Sequence, residues 1–387
     1  MGLLAAVAGV IPIQAAGAQR SACPDALERA AGGDVCVNGT RRAQAVVDAI
    51  RSKKDQFSLN AVVFGVWQHG HVVATGALGT AAPGVPATSA MHFRIANTTE
   101  TMTTTRLLQL VDAGKLSLDD PISKWYPDLP HANEITVRML AASTSGYVHY
   151  LLVDAFRKAF YADVFAKWEP DQLIKYGADQ PLLFNPGTDW QFSDTGFVLI
   201  GQIIEKVGGA PLPKQLERSI FDPLGLDDTR ETTSAFTPQP VLHSYTDERG
   251  VWEDASAWSP SFGTHIIDTT STIADLGRWT RAFGRGDLVS KKSHLVQVTP
   301  DPSGVGRISD GATFVFGDVV TNGWVYTVPG VLGLTGVVAY LPSEDLSIVI
   351  YTTSTMASPP GTIYSAATFN QIGALLAPAH PPASPTG

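Results

Sequence analysis

The stretch Phe93–Pro121, FRIANTTETMTTTRLLQLVDAGKLSLDDP, determines how the rest of the chain is interpreted. A short β-like segment leads through a polar turn into a predicted helix, whose apolar residues recur at helical spacing at Met102, Leu107, Leu110 and Val111. Pro121 cannot continue a helix, so the helix is expected to end before it. Asn97 and Glu100 lie one turn apart at the start, and one face of the helix therefore carries both.

The composition is that of an ordinary globular protein with a sizeable core. The chain has 387 residues, of which 44% are hydrophobic and 16% charged. A formal net charge of −9 argues against a nucleic-acid partner, because phosphate binding needs a basic surface. The sequence contains no recognisable metal-ligand spacing and no phosphate-binding glycine loop, so we predict no metal and no cofactor.

The first 18 residues predict export from the cell. The apolar run Leu3–Ile13 is too short to span a membrane, and small residues at 16–18 fit a signal-peptide cleavage site. We therefore predict a signal peptide at 1–18, a secreted or periplasmic/extracellular location and no integral membrane span; the alternative is an apolar N-terminal arm. In the N-terminal segment 19–43, Cys23 and Cys36 are expected to form a disulfide.

Several stretches resemble the serine β-lactamase and penicillin-binding-protein family, especially its secreted DD-peptidase and esterase branch, which includes class C β-lactamase-like proteins. Phe93–Pro121 is similar to that family's F-R-I-G-S-x-T-K segment and its following helix. Residues 185–197, NPGTDWQFSDTGF, resemble the second motif, P-G-x-x-F-x-Y-S-N, and Phe221–Leu226 matches a P-L-G turn. The resemblance covers residues 44–377.

This resemblance implies an α+β fold, with an antiparallel sheet flanked by helices and an inserted, mostly helical lobe at roughly residues 100–265. The active site of the family lies between the sheet and the lobe. The Pro-rich residues 378–387 are predicted to be a disordered tail.

The family's acyl transfer uses a serine, a lysine one turn later and a tyrosine relay. In this sequence Asn97 stands in the serine position and Glu100 in the lysine position. In the second motif, Phe192 replaces the tyrosine and Asp194 the asparagine. An amide is not a nucleophile and a phenyl ring cannot relay a proton.

The third family motif, G-H-x-G-x-x-P-G, is best placed at residues 323–330. Trp324 then replaces the histidine and Tyr326 a glycine; a second frame at residues 334–336 supplies no cation either. The sequence therefore predicts that all three catalytic motifs are degenerate.

Two carboxylates among aromatic rings are predicted to occupy the cleft, where apolar surroundings raise a carboxyl pKa toward neutrality. The candidate catalytic residues are Glu100, Asp194, Tyr326 and His149. The candidate substrate-binding residues are Asn97, Phe192, Trp324, Tyr147 and His265. Structural roles are the alternatives: Glu100 pairing with Arg106, and Asp194 capping its helix.

Three functions remain open for this cleft, each with a small-molecule or peptide ligand. The first is non-covalent acid/base catalysis on a hydrophobic or cationic small molecule, such as a cyclisation, elimination or isomerisation. The second is a catalytically dead pseudoenzyme that binds a peptide, a cell-wall fragment or a protein. The third is a weak hydrolase in which Glu100 activates water and Asn97 helps to hold the oxyanion.

Overall fold

The structure is a computed structural model that describes residues 23, 27–30, 33–309 and 311–383. The predicted signal peptide lies outside these residues. Cys23 and Cys36 are joined in a disulfide. In the described part of the chain, no helix is long and apolar enough to cross a bilayer.

The α-helices are numbered in chain order and have the following bounds: α1 Arg41–Gln56, α2 Thr98–Asp112, α3 Val137–Ala141, α4 Asp154–Ala162, α5 Pro170–Ala178, α6 Asp194–Gly208, α7 Leu212–Leu216, α8 Asp222–Leu224, α9 Ile273–Arg285, α10 Lys291–Val298 and α11 Tyr364–Leu376. The strands are β1 Glu28–Arg29, β2 Asp34–Val37, β3 Ala61–Gln68, β4 His71–Ala82, β5 Val85–Pro86, β6 Phe93–Arg94, β7 Arg230–Glu231, β8 Tyr245–Thr246, β9 Glu253–Asp254, β10 Thr269–Ser271, β11 Arg307–Ser309, β12 Ala312–Val315, β13 Asp318–Thr321, β14 Trp324–Thr327, β15 Gly330–Val331, β16 Leu334–Leu341 and β17 Leu346–Thr353.

A large antiparallel sheet is the centre of the fold. Its strands follow the order β1-β2-β4-β3-β17-β16-β14-β13-β12-β11, with β5 beside β4 and β15 beside β16. Helices α1 and α11 pack together on one face of the sheet, and α9 packs against β3, β16 and β17. Between residues 98 and 263 the regular secondary structure is mostly helical. The predicted α+β architecture is confirmed.

Helix α2 is mostly buried, although five of the eight residues that follow Glu100 are not apolar. Its threonine hydroxyls bond to backbone carbonyls of the preceding turn: Thr101 Oγ1 to Thr98 O at 2.7 Å and Thr105 Oγ1 to Thr101 O at 2.7 Å. Threonine can make this bond because its hydroxyl reaches the i−3 or i−4 carbonyl. The helix can therefore run through the core without leaving these hydroxyls unpaired.

The predicted disordered tail is wrong for residues 378–383. This segment lies along β14 and the turn before it, where Trp324 Nε1 donates to His380 O at 2.7 Å and Asn322 Nδ2 to Pro381 O at 2.9 Å. Pro382 also approaches Gly373 of α11. Proline has no backbone N–H, so a Pro-rich segment cannot join the sheet through a regular ladder and was predicted to be disordered. Its carbonyl groups can still accept hydrogen bonds, and here they accept them from side chains.

Candidate active site

Asn97 and Glu100 are brought together at the start of α2. Asn97 is the residue before the first turn, yet its side chain does not cap the helix. Instead, Asn97 Nδ2 donates to Glu100 Oε1 at 2.8 Å. Ala96, just before it, has a φ of 47°, in the left-handed region that non-glycine residues seldom adopt. The backbone turns sharply here, as at many functional sites.

Asp194 is the first residue of α6, and it is as deeply buried as Glu100. The residue before the helix is Ser193, so Asp194 is not the N-cap residue. The main contact of the Asp194 carboxyl group is a different one. That group lies against the Glu100 carboxyl group, close enough for a side-chain hydrogen bond when one of the two is protonated. The partial positive charge at the N-terminus of α6 favours a negative charge at this position.

One proton belongs to this carboxyl pair. Burial raises the pKa of Glu100 well above its usual range, and the negative charge of Asp194 raises it further; the Asn97 hydrogen bond acts in the opposite direction. Burial also raises the pKa of Asp194, against smaller lowering effects from His149 and Glu100. Glu100 therefore retains the proton and donates to Asp194, which stays the more acidic partner.

The unpaired oxygens of the site agree with a shared proton. Glu100 Oε2 and Asp194 Oδ1 are buried and have no donor within the described residues when both groups are taken as carboxylates. A hydrogen on Glu100 supplies the donor that two ionised carboxylates lack. The alternative ion pair with Arg106 is not formed, because the Arg106 guanidinium donates to Gln215 Oε1 at 3.0 Å.

A third carboxyl group, Asp318, was missed by the sequence prediction. It begins β13, is buried, and its pKa is raised well above the usual range by burial; its charge also raises the pKa of Glu100. The sequence carried one signal, an acidic residue inside the apolar run 313–320. That run is not one strand but a hairpin that turns at Gly317, whose φ is 96°. A Cβ at Gly317 would lie 3.5 Å from Glu100 Cβ, so the hairpin packs directly on Glu100.

Two cavities meet at the carboxyl pair. The larger cavity, about 490 Å³, exposes Asp194, and the smaller cavity, about 210 Å³, exposes Glu100; Asn97 and Phe192 line both. The other residues of the larger cavity include His149, Leu151, Phe156, Arg157, Phe160, Tyr161, Glu248, Phe262 and Ile267. The other residues of the smaller cavity are Trp190, Phe314, Gly317, Val319, Thr327 and Val328. A separate cavity of about 590 Å³ lies between α3, α10 and the β12–β13 hairpin, and contains none of the three carboxyl groups.

His149 lies at the larger cavity, next to Asp194 and Phe192, so the structure places it in the predicted cleft. Its Nδ1 accepts the backbone N–H of Asp194 at 3.2 Å. A ring nitrogen that accepts a hydrogen bond carries no hydrogen, so the proton of the neutral ring is on Nε2. Nδ1 also lies 3.8 Å from Asp194 Oδ2.

The prediction that Trp324 and Tyr326 line the cleft is wrong. Both side chains lie on the opposite face of the sheet, where their rings contact Phe369 of α11 at 5.0 and 5.4 Å. Tyr326 OH donates to Ala383 O at 3.1 Å. Because side chains alternate along a strand, Thr327 lies on the other face, and it lines the smaller cavity. The alignment of the third motif to residues 323–330 therefore assigned the wrong side chains of β14 to the cleft.

Tyr147 and His265 also lie away from both cavities. Tyr147 is buried, and its hydroxyl donates to Pro130 O at 2.5 Å. His265 is buried beside Glu231, with its Nδ1 2.9 Å from Glu231 Oε1. The prediction that these two residues contact substrate in the cleft is wrong, since both are held in the core by polar partners.

His265 belongs to a buried group with metal-ligating atoms. One atom each from Glu231, His265 and Asp268 lie within 4.8 Å of one another. Both ring nitrogens are already engaged, however, because Nδ1 faces Glu231 and Nε2 lies 3.1 Å from Gln202 Nε2. With Nε2 accepting from the amide, the ring hydrogen is on Nδ1 and bonds Glu231, an arrangement that needs no ion.

Two aromatic residues that the sequence prediction did not select complete the smaller cavity. Trp190 and Phe314 have ring centroids 5.4 Å apart, and Phe192 and Phe314 have centroids 5.8 Å apart. Trp190 lies in the second motif segment, two residues before Phe192, which was the available signal. Phe314 is on β12, and no motif pointed to it.

Comparison with known proteins agrees with this architecture. The family model described as Beta-lactamase matches residues 46–376. The D-amino acid amidase from Ochrobactrum anthropi SV3, solved with D-phenylalanine, superposes with a TM-score of 0.74 at 22% identity, over 87% of this chain and 98% of that one. The octameric penicillin-binding protein homologue from Pyrococcus abyssi gives a TM-score of 0.70 at 22% identity, over 85% and 77% of the two chains. These likenesses show a shared fold.

Sequence relatives include enzymes of several kinds. The chain is 27% identical over 286 residues to the D-alanyl-D-alanine-carboxypeptidase/endopeptidase AmpH of Escherichia coli (strain K12), covering 67% of this chain and 70% of that protein. It is 30% identical over 201 residues to esterase EstB of Burkholderia gladioli, covering 48% and 50%. It is 26% identical over 254 residues to penicillin-binding protein 4* of Bacillus subtilis (strain 168), covering 60% and 52%. The chain thus spans about half the length of the latter two. From the family match over most of its length, this chain belongs to the β-lactamase family.

Proposed function

We propose that the cleft catalyses a non-covalent proton-transfer reaction on a hydrophobic or cationic small molecule, in place of acyl transfer through a serine. The observation that carries this proposal is the buried pair of Glu100 and Asp194, hydrogen-bonded to each other where the two cavities meet. An acid and a base in contact are what a cyclisation, an elimination or an isomerisation needs.

The two carboxyl groups have different roles in this proposal. Asp194, the more acidic partner, faces the larger cavity and takes a proton from the substrate. Glu100 lines the smaller cavity. Once Asp194 has taken a proton it no longer needs to accept from Glu100, which then donates its own proton to the atom that gains electron density. Two coupled carboxyls whose pKa values differ divide the acid and base roles in this way. Because the two groups are coupled, the apparent pKa values of a pH–rate profile would belong to the pair and not to either residue.

Asn97 supports a mechanism without a covalent intermediate. Its amide offers no nucleophile, and its Nδ2–H is used to hold Glu100 Oε1. Asn97 therefore positions the acid, and it restricts Glu100 to an orientation in which the second oxygen meets Asp194. We accordingly propose that the inherited serine chemistry is absent, and that a penicillin-type probe forms no adduct with this protein.

A weak hydrolase is the second candidate function, favoured by the esterase and carboxypeptidase activities named for the relatives. Here the carboxyl pair activates a water molecule, which then attacks an ester or amide carbonyl while the protonated partner donates to its oxygen. Two carboxyls that share a proton can carry out both steps.

Two neutral probes test the proposed roles, 5-nitro-1,2-benzisoxazole and unsubstituted 1,2-benzisoxazole. A base removes the ring C3 proton, the N–O bond breaks, and the ring opens to a 2-cyanophenolate, whose oxygen takes up the electrons of that bond. We expect elimination above the buffer rate, and Asp194→Asn to lower it by about 100-fold, within the usual range for a general base. Glu100→Gln should slow the unsubstituted probe more than the nitro probe, because the poorer leaving group depends more on an acid.

The matched control is Glu217→Gln, the same chemical change at an exposed position of the helical lobe. Its rates should equal those of the wild type. Equal elimination rates for the wild type and Asp194→Asn would refute the proposal. Turnover of p-nitrophenyl butyrate without any elimination would favour the hydrolase, and conversion of neither substrate class would favour a binding pseudoenzyme.

A further inference from the structure

We propose that the smaller cavity binds an alkylammonium group of the substrate, with the aromatic side chains of the cavity on one side and the carboxyl pair as its counter-ion. This inference rests on the proposed function and names its substrate class. It follows from three features of the cavity, namely its rings, its charge balance and its remaining wall.

The rings form one continuous wall. Phe314 contacts both Trp190 and Phe192, with centroid separations of 5.4 and 5.8 Å and interplanar angles of 45° and 76°. The three rings are therefore tilted with respect to one another and enclose a corner. A cation within about 6 Å of a ring centroid is attracted by the negative face of the ring, most strongly by tryptophan.

In the described part of the chain, the smaller cavity exposes a carboxyl group without a basic side chain beside it. None of the described residues that line the smaller cavity is Lys, Arg or His. The pair of Glu100 and Asp194 with one shared proton has a net charge of −1, and the basic side chains His149 and Arg157 line the larger cavity, not the smaller one. A buried negative charge without a counter-ion is costly, and a ligand that brings a positive charge removes that cost.

The remaining wall suits methyl groups better than a hydrated ammonium ion. Val319 and Val328 add aliphatic surface, and Thr327 adds a methyl and a hydroxyl group. A bare ammonium would need hydrogen-bond acceptors on several sides, whereas an alkylated one needs apolar contact and a counter-charge. The cavity volume of about 210 Å³ is that of a small head group. The rest of the substrate then extends past Phe192 into the larger cavity.

Binding of choline and of 3,3-dimethylbutan-1-ol tests the inference, since the two have the same shape and differ in charge. Isothermal titration calorimetry on the full chain is expected to give choline at least a tenfold lower dissociation constant. Phe314→Leu keeps an apolar wall but removes the central ring. We expect it to weaken choline binding by about fivefold, the size of one cation–π contact, with the affinity for the alcohol unchanged.

Trp190→Leu, at a half-exposed position, repeats the test with a smaller risk to folding. Circular dichroism identifies any variant that is not folded. Equal affinity of the wild type for choline and the alcohol, or no binding of either, would overturn the inference. So would an unchanged preference for choline in both leucine variants. The benzisoxazole probes are neutral, so elimination that persists without choline binding would remove this inference and leave the proposed function standing.

Discussion

Replacement of Glu100 by glutamine is expected to make the stability of the protein depend less on pH. Glu100 is buried, and its pKa in the folded protein lies well above the usual 4.5. Its contribution to stability is therefore complete below about pH 4.5, where both states are protonated, and is lost as the pH rises toward the folded-state pKa. Glutamine keeps the shape of the side chain and does not titrate.

The expected magnitude follows from one proton. A proton that the folded chain holds and the unfolded chain has released lowers the free energy of unfolding by about 1.4 kcal/mol per pH unit. Between pH 5 and pH 7 the unfolding free energy of the wild type should therefore fall more steeply with pH than that of Glu100→Gln, with a slope difference of up to about 1.4 kcal/mol per pH unit. The glutamine amide can also donate to Asp194, so the variant keeps the hydrogen bond of the pair.

Urea unfolding followed by circular dichroism at pH 5, 6 and 7 measures this difference, and the denaturant slope reports any loss of two-state behaviour. Glu217→Gln, the exposed control, should retain the pH dependence of the wild type. Parallel plots of unfolding free energy against pH for the wild type and Glu100→Gln would mean that Glu100 is already ionised in the folded protein. The assignment of the shared proton would then be wrong.

Three further changes test separate parts of the structure. Asp318→Asn removes a charge that raises the pKa of Glu100, so the carbon-13 NMR titration of the Glu100 carboxyl should move to lower pH; an unmoved titration contradicts the coupling. Tyr351→Phe removes the hydroxyl that donates to Ile95 O at 3.0 Å just before α2, and urea unfolding should show a loss of about 1–3 kcal/mol. Trp324→Phe removes the donor to His380 O and should cost about 1 kcal/mol with benzisoxazole elimination unchanged; slower elimination would return Trp324 to the cleft.

The sequence predicted where the site lies in the fold better than it predicted which side chains line it. Asn97, Glu100 and Asp194 lie at helix starts within strongly patterned segments, so their neighbourhood followed once the motifs were aligned. The hydrogen bond between Asn97 and Glu100 also follows from their spacing of one turn. Phe192 lines the same cavities because it is only two residues from Asp194.

The errors came from residues on strands. In β14 a shift of one residue exchanges the two faces of the sheet, and the sequence around Trp324 is apolar on both sides, so the pattern does not say which face meets the cleft. Asp318 and Phe314 are in the site only because a hairpin folds back onto α2. That contact joins segments more than 200 residues apart, and no local pattern in the sequence encodes it.

Asn97 and Phe192 line both cavities, and this arrangement affects which bond of a substrate can react. Because Asn97 and Phe192 line both cavities, a molecule that reaches from one cavity into the other would have its middle near these side chains and the carboxyl pair. Its two ends are held away from the acid and the base. The chemistry is therefore directed to an internal position of an elongated molecule, and the distance from that position to the head group is set by the depth of the smaller cavity. Compounds that differ only in this spacing should differ in where they react, or in whether they react at all.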